Sequence, residues 1–255
     1  SQSTVSGKGI NVSLALKQWG VDSVVLALAG GETGRKIAAE LSTRGIEHDL
    51  VTCPGETRTN VKVIEEPTGR LSEFNEAGPH VDEAVLAAFE RKLAEHAAGA
   101  DAVIISGSFP PGATPATARR LVEVARQAGA FTLLDTSGEP LKEGLAGRPH
   151  ALKPNQVEIE ALLGQRVDKP GERLAAVRRL LDQGIDEVVL SLGAEGAVFG
   201  SQDGVLWART PPIASANPVG CGDVLVAALI FTRFRSRVYT RPDAHVDTRG
   251  DTQTD

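Results

Sequence analysis

The chain has 255 residues, 41% of them apolar and 24% charged, which suits one large α/β domain with a sizeable core and not a disordered chain. A formal charge of −6 argues against a broad footprint for nucleic acid or an anionic membrane and leaves a small-molecule partner, with at most a local basic pocket. Cys53 and Cys221 stand far apart in no metal-ligand or CxxC spacing. No apolar run approaches the roughly 18 residues of a membrane span, and no basic segment leads into an apolar one as a signal peptide requires, so the reducing cytoplasm is the expected setting.

In chain order, apolar runs alternate with segments of helical period, the pattern of a buried and mainly parallel sheet. Helices are expected over Ile10–Trp19, Gly34–Arg44, Asp82–Ala97, Thr114–Ala128, Gln156–Leu163, Gly171–Gln183 and Gly222 to about Phe231. Buried strands are expected over Val24–Ala29, Ala102–Ile105, Phe131–Leu134 and Val188–Leu192. Residues 47–79 read differently: Thr57–Glu65 alternates like a half-exposed strand, and a turn at Gly69-Arg70 precedes Leu71–Asn75. This predicts a small sheet that serves either as a lid over a site or as a plain edge hairpin. Residues 232–255, rich in Arg, Asp and Thr, read as a disordered polar tail outside a domain of residues 1–231.

Several segments place chemistry at helix starts or strand ends. Asn217-Pro-Val-Gly-Cys-Gly-Asp223 leads directly into the apolar Val224–Leu229. Free N–H groups at a helix start, with side-chain-free Gly220 and Gly222, can seat phosphate oxygens, and a carboxylate beside them can take a proton from a hydroxyl. Simple helix capping by Asp223 explains the same letters. Ser6-Gly-Lys-Gly-Ile-Asn11 is a second glycine-rich loop before a helix; it is not a Walker A loop, because Gly9 follows Lys8 where Ser or Thr would stand. Lys8 and Asn11 suit a phosphorylated or polyhydroxylated ligand, or else Lys8 is solvated beside a tight turn.

Arg58, Asn60 and Lys62 share one strand face, a cluster suited to a phosphate ester and equally to an ordinary exposed strand. Gly30-Gly-Glu-Thr-Gly34 reads as a strand-to-helix turn, and Ser106-Gly-Ser-Phe-Pro-Pro-Gly112 ends a buried strand where open parallel sheets hold ligands. Lys153-Pro-Asn155 with Glu158 offers oxygen donors for a hydrated Mg2+, or a capping box. Ser191-Leu-Gly-Ala-Glu-Gly196 offers backbone to a nucleotide, or is a hairpin turn.

Taken together, Gly-Lys-Gly-Ile-Asn-Val (7–12), Thr-Arg-Thr-Asn-Val-Lys (57–62), Glu-Phe-Asn-Glu-Ala-Gly-Pro (73–79), Ser-Gly-Ser-Phe-Pro-Pro-Gly (106–112), Lys-Pro-Asn-x-x-Glu (153–158), Ser-Leu-Gly-Ala-Glu-Gly (191–196) and Gly-Cys-Gly-Asp (220–223) resemble the ribokinase-like PfkB sugar kinases over about residues 5–230, most closely the branch of 1-phosphofructokinase and tagatose-6-phosphate kinase. The resemblance implies a Rossmann-like three-layer α/β/α sandwich with a small β lid that transfers the γ-phosphoryl of MgATP to a ketohexose phosphate. Fructose 1-phosphate is the expected acceptor, with tagatose 6-phosphate or fructose 6-phosphate as alternatives and an inactive, nucleotide-binding relic as the reading of another class.

By position, the resemblance makes Asp223 the general base and Gly220, Cys221 and Gly222 the anion hole. Gly7, Lys8, Asn11, Arg58 and Ser108 would hold the sugar phosphate. Lys153, Asn155, Ser191, Gly193 and Gly196 would line the nucleotide side, with Asn155 and Glu158 organising Mg2+. A homodimer formed through the lid is the assembly this reading allows. Three departures are visible: the family's strand ahead of the Gly-Lys-Gly loop is not in this sequence, the chain continues past the last helix as a polar tail, and Val224 replaces the small or hydroxyl residue that usually follows the base. They lead to the expectation of weak sugar binding and slow turnover or none.

Overall fold

The computed structural model describes residues 4–65, 70–209 and 220–235. Its elements are α1 (Lys8–Gln18), β1 (Val24–Ala29), α2 (Gly31–Thr43), β2 (Glu47–Thr52), β3 (Asn60–Glu65), β4 (Arg70–Asn75), α3 (Glu83–Ala97), β5 (Ala102–Ser106), α4 (Pro115–Gln127), β6 (Phe131–Asp135), α5 (Gly138–Ala146), β7 (Ala151–Leu152), α6 (Gln156–Leu163), α7 (Pro170–Leu181), β8 (Glu187–Ser191), β9 (Ala197–Ser201), β10 (Gly204–Ala208) and α8 (Cys221–Arg235). Six strands form one sheet in the order β10-β9-β8-β7-β6-β5. β5 to β8 are parallel, and β9 and β10 are added antiparallel at one edge.

Alternation along the strands divides the core into two layers. Leu134, Leu152, Val188 and Leu190 pack with Val122 of α4, Leu141 of α5 and Leu180 of α7. On the other face, Phe131, Leu133 and Ala151 pack with Val12 and Leu16 of α1 and Val226, Ala227 and Ile230 of α8. Each such fully buried leucine contributes about 1.5–3 kcal/mol. The expected three-layer α/β/α arrangement is therefore present. A different pair of α1 side chains, Ile10 and Leu14, faces Val25 of β1 and Leu41 of α2, so α1 spans both sheets.

The segment 47–79 divides where one small sheet was expected. β2 pairs in parallel with β1 from Val24–Glu47 to Ala29–Thr52, and only β3 and β4 form the stand-off antiparallel hairpin. The apolar content of β2 is limited to Leu50 and Val51, so its burial has little trace in the sequence. α5 is not among the expected helices, and it holds Pro140 and Gly144. Pro140 stands in the first turn, where its missing N–H costs nothing, and a Cβ on Gly144 would meet Leu134 Cδ2 at 2.6 Å.

The last helix runs four residues past the expected boundary. Thr232 Oγ1 donates to the carbonyls of Ala228 and Leu229, Phe234 meets Phe131 edge-on at 6.2 Å, and the Arg233 guanidinium lies over the same ring and pairs with Glu187. Residues 236–255 of the expected tail lie outside the described residues.

Candidate active site

The carboxyl ends of the parallel strands meet the starts of α1 and α8, the place where an open α/β sheet leaves a crevice. Asp135, the last residue of β6, is fully buried there. It accepts hydrogen bonds from Lys8 Nζ at 3.1 Å and Ser106 Oγ at 3.2 Å and forms a salt bridge with Lys153 Nζ at 3.2 Å. A buried carboxylate persists only when paired, and here two ammonium groups share it. Lys153 is itself buried, and a Cβ on Gly222 would lie 3.6 Å from its Nζ, so this ammonium sits directly behind the glycine loop at the start of α8.

Asp223 stands in the first turn of α8 and is only 6% exposed. It accepts a 2.7 Å hydrogen bond from Asn11 Nδ2 of α1, so its carboxylate is tied across the crevice to the other glycine-rich loop. Burial raises its pKa above the ordinary aspartate value, and the nearby Asp135 charge adds to this, while the Asn11 bond and the charges of Lys8 and Lys153 pull the other way. A carboxylate held short of full stabilisation is a better proton acceptor than a solvated one. Gly220 has φ +86, and a Cβ there would come within 4.0 Å of Asn11 Nδ2. Cys221 is exposed and free, as is the thiol of buried Cys53. Residues 217–219 of this motif lie outside the described residues.

Arg58 precedes β3 and donates from Nη2 to Ser108 Oγ at 2.6 Å, and its stem lies against Gly78. Ser108 is placed by the turn after β5, where Thr136 Oγ1 donates to Gly107 O at 2.6 Å and Gly107 N–H to Asp135 O at 3.1 Å. Gly7, the residue before α1, accepts the Asn11 N–H on its carbonyl at 2.8 Å. Gly7, Lys8, Asn11, Arg58 and Ser108 thus line one end of a cavity of about 1660 Å³. Lys62 does not join Arg58 as the strand alternation suggested: it is paired across the hairpin with Glu73 at 2.9 Å.

On the other side of Lys153, Asn155 and Glu158 form a closed capping box at the start of α6. Asn155 Oδ1 accepts the Glu158 N–H at 2.9 Å, and Glu158 Oε2 accepts the Asn155 N–H at 2.8 Å. Ser191 is brought beside them, its N–H and Oγ donating to Pro154 O at 2.9 and 3.3 Å. Gly193 opens a single 3-10 turn that reverses the chain from β8 into antiparallel β9, so the hairpin reading of residues 191–196 is present as structure. Gly196 has φ +90, and its Cβ would fall 2.1 Å from Ala208 O. Gly196→Ala is therefore expected to cost about 1–3 kcal/mol or more, read as a lowered urea midpoint.

Sequence reasoning missed Asp135 and Thr136, and named Ser106 only as the start of its segment. The signal available was a buried run, Phe131–Leu134, that ends in Asp at the carboxyl end of a parallel strand. At the start of α2, the corresponding anion seat is filled by the protein itself: Glu56 accepts the N–H groups of Glu32 and Thr33 at 2.9 and 3.0 Å, and these bonds lower its pKa.

The sequence profile of the pfkB family carbohydrate kinases matches residues 2–237. The chain belongs to the pfkB family of carbohydrate kinases. It is 37% identical over 227 residues to a 1-phosphofructokinase of Xanthomonas campestris pv. campestris, covering 88% of this chain and 71% of that one. A 1-phosphofructokinase of Bacillus subtilis is 33% identical over 224 residues, with 88% and 73% covered. The crystal structure of phosphofructokinase-2 from Escherichia coli in complex with fructose-6-phosphate superposes with a TM-score of 0.84 at 30% identity, over 91% of this chain and 76% of that one. As a pfkB carbohydrate kinase the chain is a phosphotransferase. The N-terminal glycine-rich loop, residues 106–108, Lys153 and the start of α8 converge on Asp135 and Asp223. Among the described residues no helix is long and apolar enough to cross a membrane.

Proposed function

We propose that the chain transfers the γ-phosphoryl group of MgATP to a hydroxyl of a ketohexose phosphate, with fructose 1-phosphate as acceptor and fructose 1,6-bisphosphate as product. The observation that carries this reading is the buried Asp223 carboxylate, tied to Asn11 and set beside a glycine loop backed by the Lys153 ammonium. A base and an anion seat then lie on the two sides of one in-line transfer. The names of the curated relatives support the choice of acceptor.

The residues present fit the nucleotide: backbone N–H groups of Gly220, Cys221 and Gly222 at a helix start, with Lys153 behind them, suit phosphate oxygens. When bound, MgATP supplies the phosphoryl group and the metal's charge. Among the described residues no group of three or more His, Cys, Asp or Glu is placed to cage a metal. Asn155 and Glu158 are engaged with each other, so they would hold Mg2+ through its water shell, which this ion keeps readily. Lys8, Asn11, Arg58 and Ser108 would orient the sugar phosphate, and Asp223 would take the hydroxyl proton.

The test is ADP release with MgATP against fructose 1-phosphate, tagatose 6-phosphate, fructose 6-phosphate and unphosphorylated fructose. Turnover highest on fructose 1-phosphate supports the proposal, and turnover highest on another phosphate reassigns the acceptor. Silence on every acceptor, from folded protein that still gains thermal stability with MgATP, would favour the nucleotide-binding relic. Arg58→Gln is expected to raise KM for the sugar phosphate about tenfold or more, the worth of a charged hydrogen bond, with a smaller change in kcat. An unchanged KM would remove Arg58 from the substrate site.

The hairpin also supports the dimer. Val61, Val63 and Phe74 are 50%, 46% and 63% exposed, and Val61 and Phe74 are directly paired. Three apolar side chains on one free face suit a second copy of the hairpin. Phe74→Asp should shift the protein to a monomer in sedimentation, and a monomeric parent would end this reading.

A further inference from the structure

Among the described residues four charged side chains are buried: Asp135, Lys153, Asp223 and Arg173. The first three meet in the candidate active site, and the last stands outside it as the fourth residue of α7. That is a costly place for a cation. Burial strips the guanidinium of water, and the start of a helix presents the positive end of its dipole. For packing alone, an uncharged side chain of similar volume would serve as well or better. The compensation lies in the partners of Arg173.

Arg173 Nη1 and Nη2 donate to the two carboxylate oxygens of Glu195 at 2.8 and 3.0 Å, a bidentate fork that lysine cannot form. Nη2 also donates to Gln156 Oε1 at 3.3 Å and Nε to Val167 O at 3.2 Å, and the guanidinium carbon lies 5.4 Å from the centre of the Trp207 ring. One planar group therefore ties together the start of α6, the loop into α7, the 3-10 turn after β8 and strand β10. Glu195 is held twice, because Trp207 Nε1 donates to its carbonyl at 2.9 Å. The Arg173 guanidinium keeps the Glu195 carboxyl below the usual carboxylate range, so the pair is ionised at neutral pH.

The segments joined in this way are the two assigned above to the nucleotide. Gln156 directly follows Asn155, and Glu195 closes the turn that runs from Gly193 to Gly196. Neither glycine has a side chain with which to fix its own backbone, so the hold on the turn comes through Glu195. We propose that Arg173 is a positioning residue for MgATP: through Glu195 it sets the backbone of residues 193–196 against the start of α6, so that the nucleotide meets a turn already in place. This rests on the reading of both segments as the nucleotide side of a kinase. A turn ordered before binding spares the ligand the cost of ordering it. Arg173 acts through Glu195 and Gln156 and takes no part in the transfer itself.

The test compares Arg173→Met, which removes the charge, Arg173→Lys, which keeps the charge and loses the fork, and Glu195→Gln, at a side chain 54% exposed in the parent. MgATP binding is measured by calorimetry without acceptor, steady-state constants with fructose 1-phosphate, and amide exchange of Leu192, Glu195 and Gly196 by mass spectrometry with residue-level fragmentation. Those three N–H groups bond within the turn. Arg173→Met and Glu195→Gln are each expected to weaken MgATP binding about tenfold, the worth of a charged hydrogen bond, with Arg173→Lys in between. KM for MgATP should rise alike, while kcat and KM for the sugar phosphate change less than about twofold. The three amides should exchange faster, and the double variant Arg173→Met/Glu195→Gln should lose no more affinity than the worse single one. Glu195→Gln carries the same test should Arg173→Met fail to fold, and a parent without turnover still reports through calorimetry. Unchanged MgATP affinity in the folded variants would overturn the proposal and leave the kinase reading standing. Equal losses for nucleotide and sugar phosphate, the mark of general loosening, would do the same. A parent that takes up no MgATP would overturn the kinase reading and this proposal with it.

Discussion

Replacing Asp223 by Asn is expected to lower turnover by about 10²- to 10⁴-fold while leaving ATP affinity close to unchanged. The substitution preserves the shape and the bond to Asn11, since the new amide oxygen accepts from Nδ2 where the carboxylate did. What disappears is the capacity to take a proton. The wild-type rate should rise with pH through a pKa above that of an ordinary aspartate, because burial disfavours the ionised base. Stability moves oppositely: a carboxyl whose pKa the fold raises contributes stability that is fully present below its unfolded pKa and lost as pH rises through the folded value. The amide has no such loss, so Asp223→Asn should melt no lower than the parent at neutral pH. Initial rates, calorimetric ATP titration and melting curves on one preparation check all three statements. Near-normal turnover would remove the base assignment.

Asp135→Ala is expected to cost about 3–5 kcal/mol of stability, the loss typical of a buried ion pair stripped of one partner. That is a large share of the roughly 5–15 kcal/mol holding a domain together. The two lysines are not equal in this. The Lys153 side chain is 5% exposed and cannot reach water without moving, whereas that of Lys8 is 39% exposed and can turn outward. Most of the penalty should therefore come from Lys153. Asp135→Ala combined with Lys153→Met should recover a substantial part of it, and the double-mutant cycle measures how much. Urea unfolding of the four proteins is the measurement. Equal midpoints for parent and Asp135→Ala would show that the ion cluster contributes nothing to the fold.

The strands β1, β5, β6 and β8 were legible to within a residue because continuous apolar runs ending in Gly, Ser or Asp leave little choice for a buried strand. β7, with two residues, carries no period at all, and β2 hides its burial behind Glu47, His48 and Asp49. α5 was hidden because Pro140 and Gly144 are breakers in general and are tolerated here only through their positions. In the site, motif order pointed to Lys8, Asn11 and Asp223, and the structure brings Asn11 and Asp223 into contact and sets Lys8 on neighbouring Asp135. Asp135 was missed because its one local signal, an Asp closing a buried strand, does not record what converges on it from residues 8, 106 and 153. Asn155 and Glu158 show the opposite limit: one spacing served two readings, and the capping box is formed.

The packing of α1 on α8 has a consequence for synthesis. Val12, Ala15 and Leu16 are made well before their partners Val226, Ala227 and Ile230. At a ribosomal pace of about 5–20 residues per second, the first helix waits roughly 10–40 s for its cover. Over that interval its apolar side is open to chaperones or to neighbouring nascent chains. The Asn11–Asp223 contact spans 212 positions and can close only after α8 has been made. A ribosome complex stalled with α8 still in the exit tunnel would therefore carry a nearly complete sheet without the Asn11–Asp223 contact.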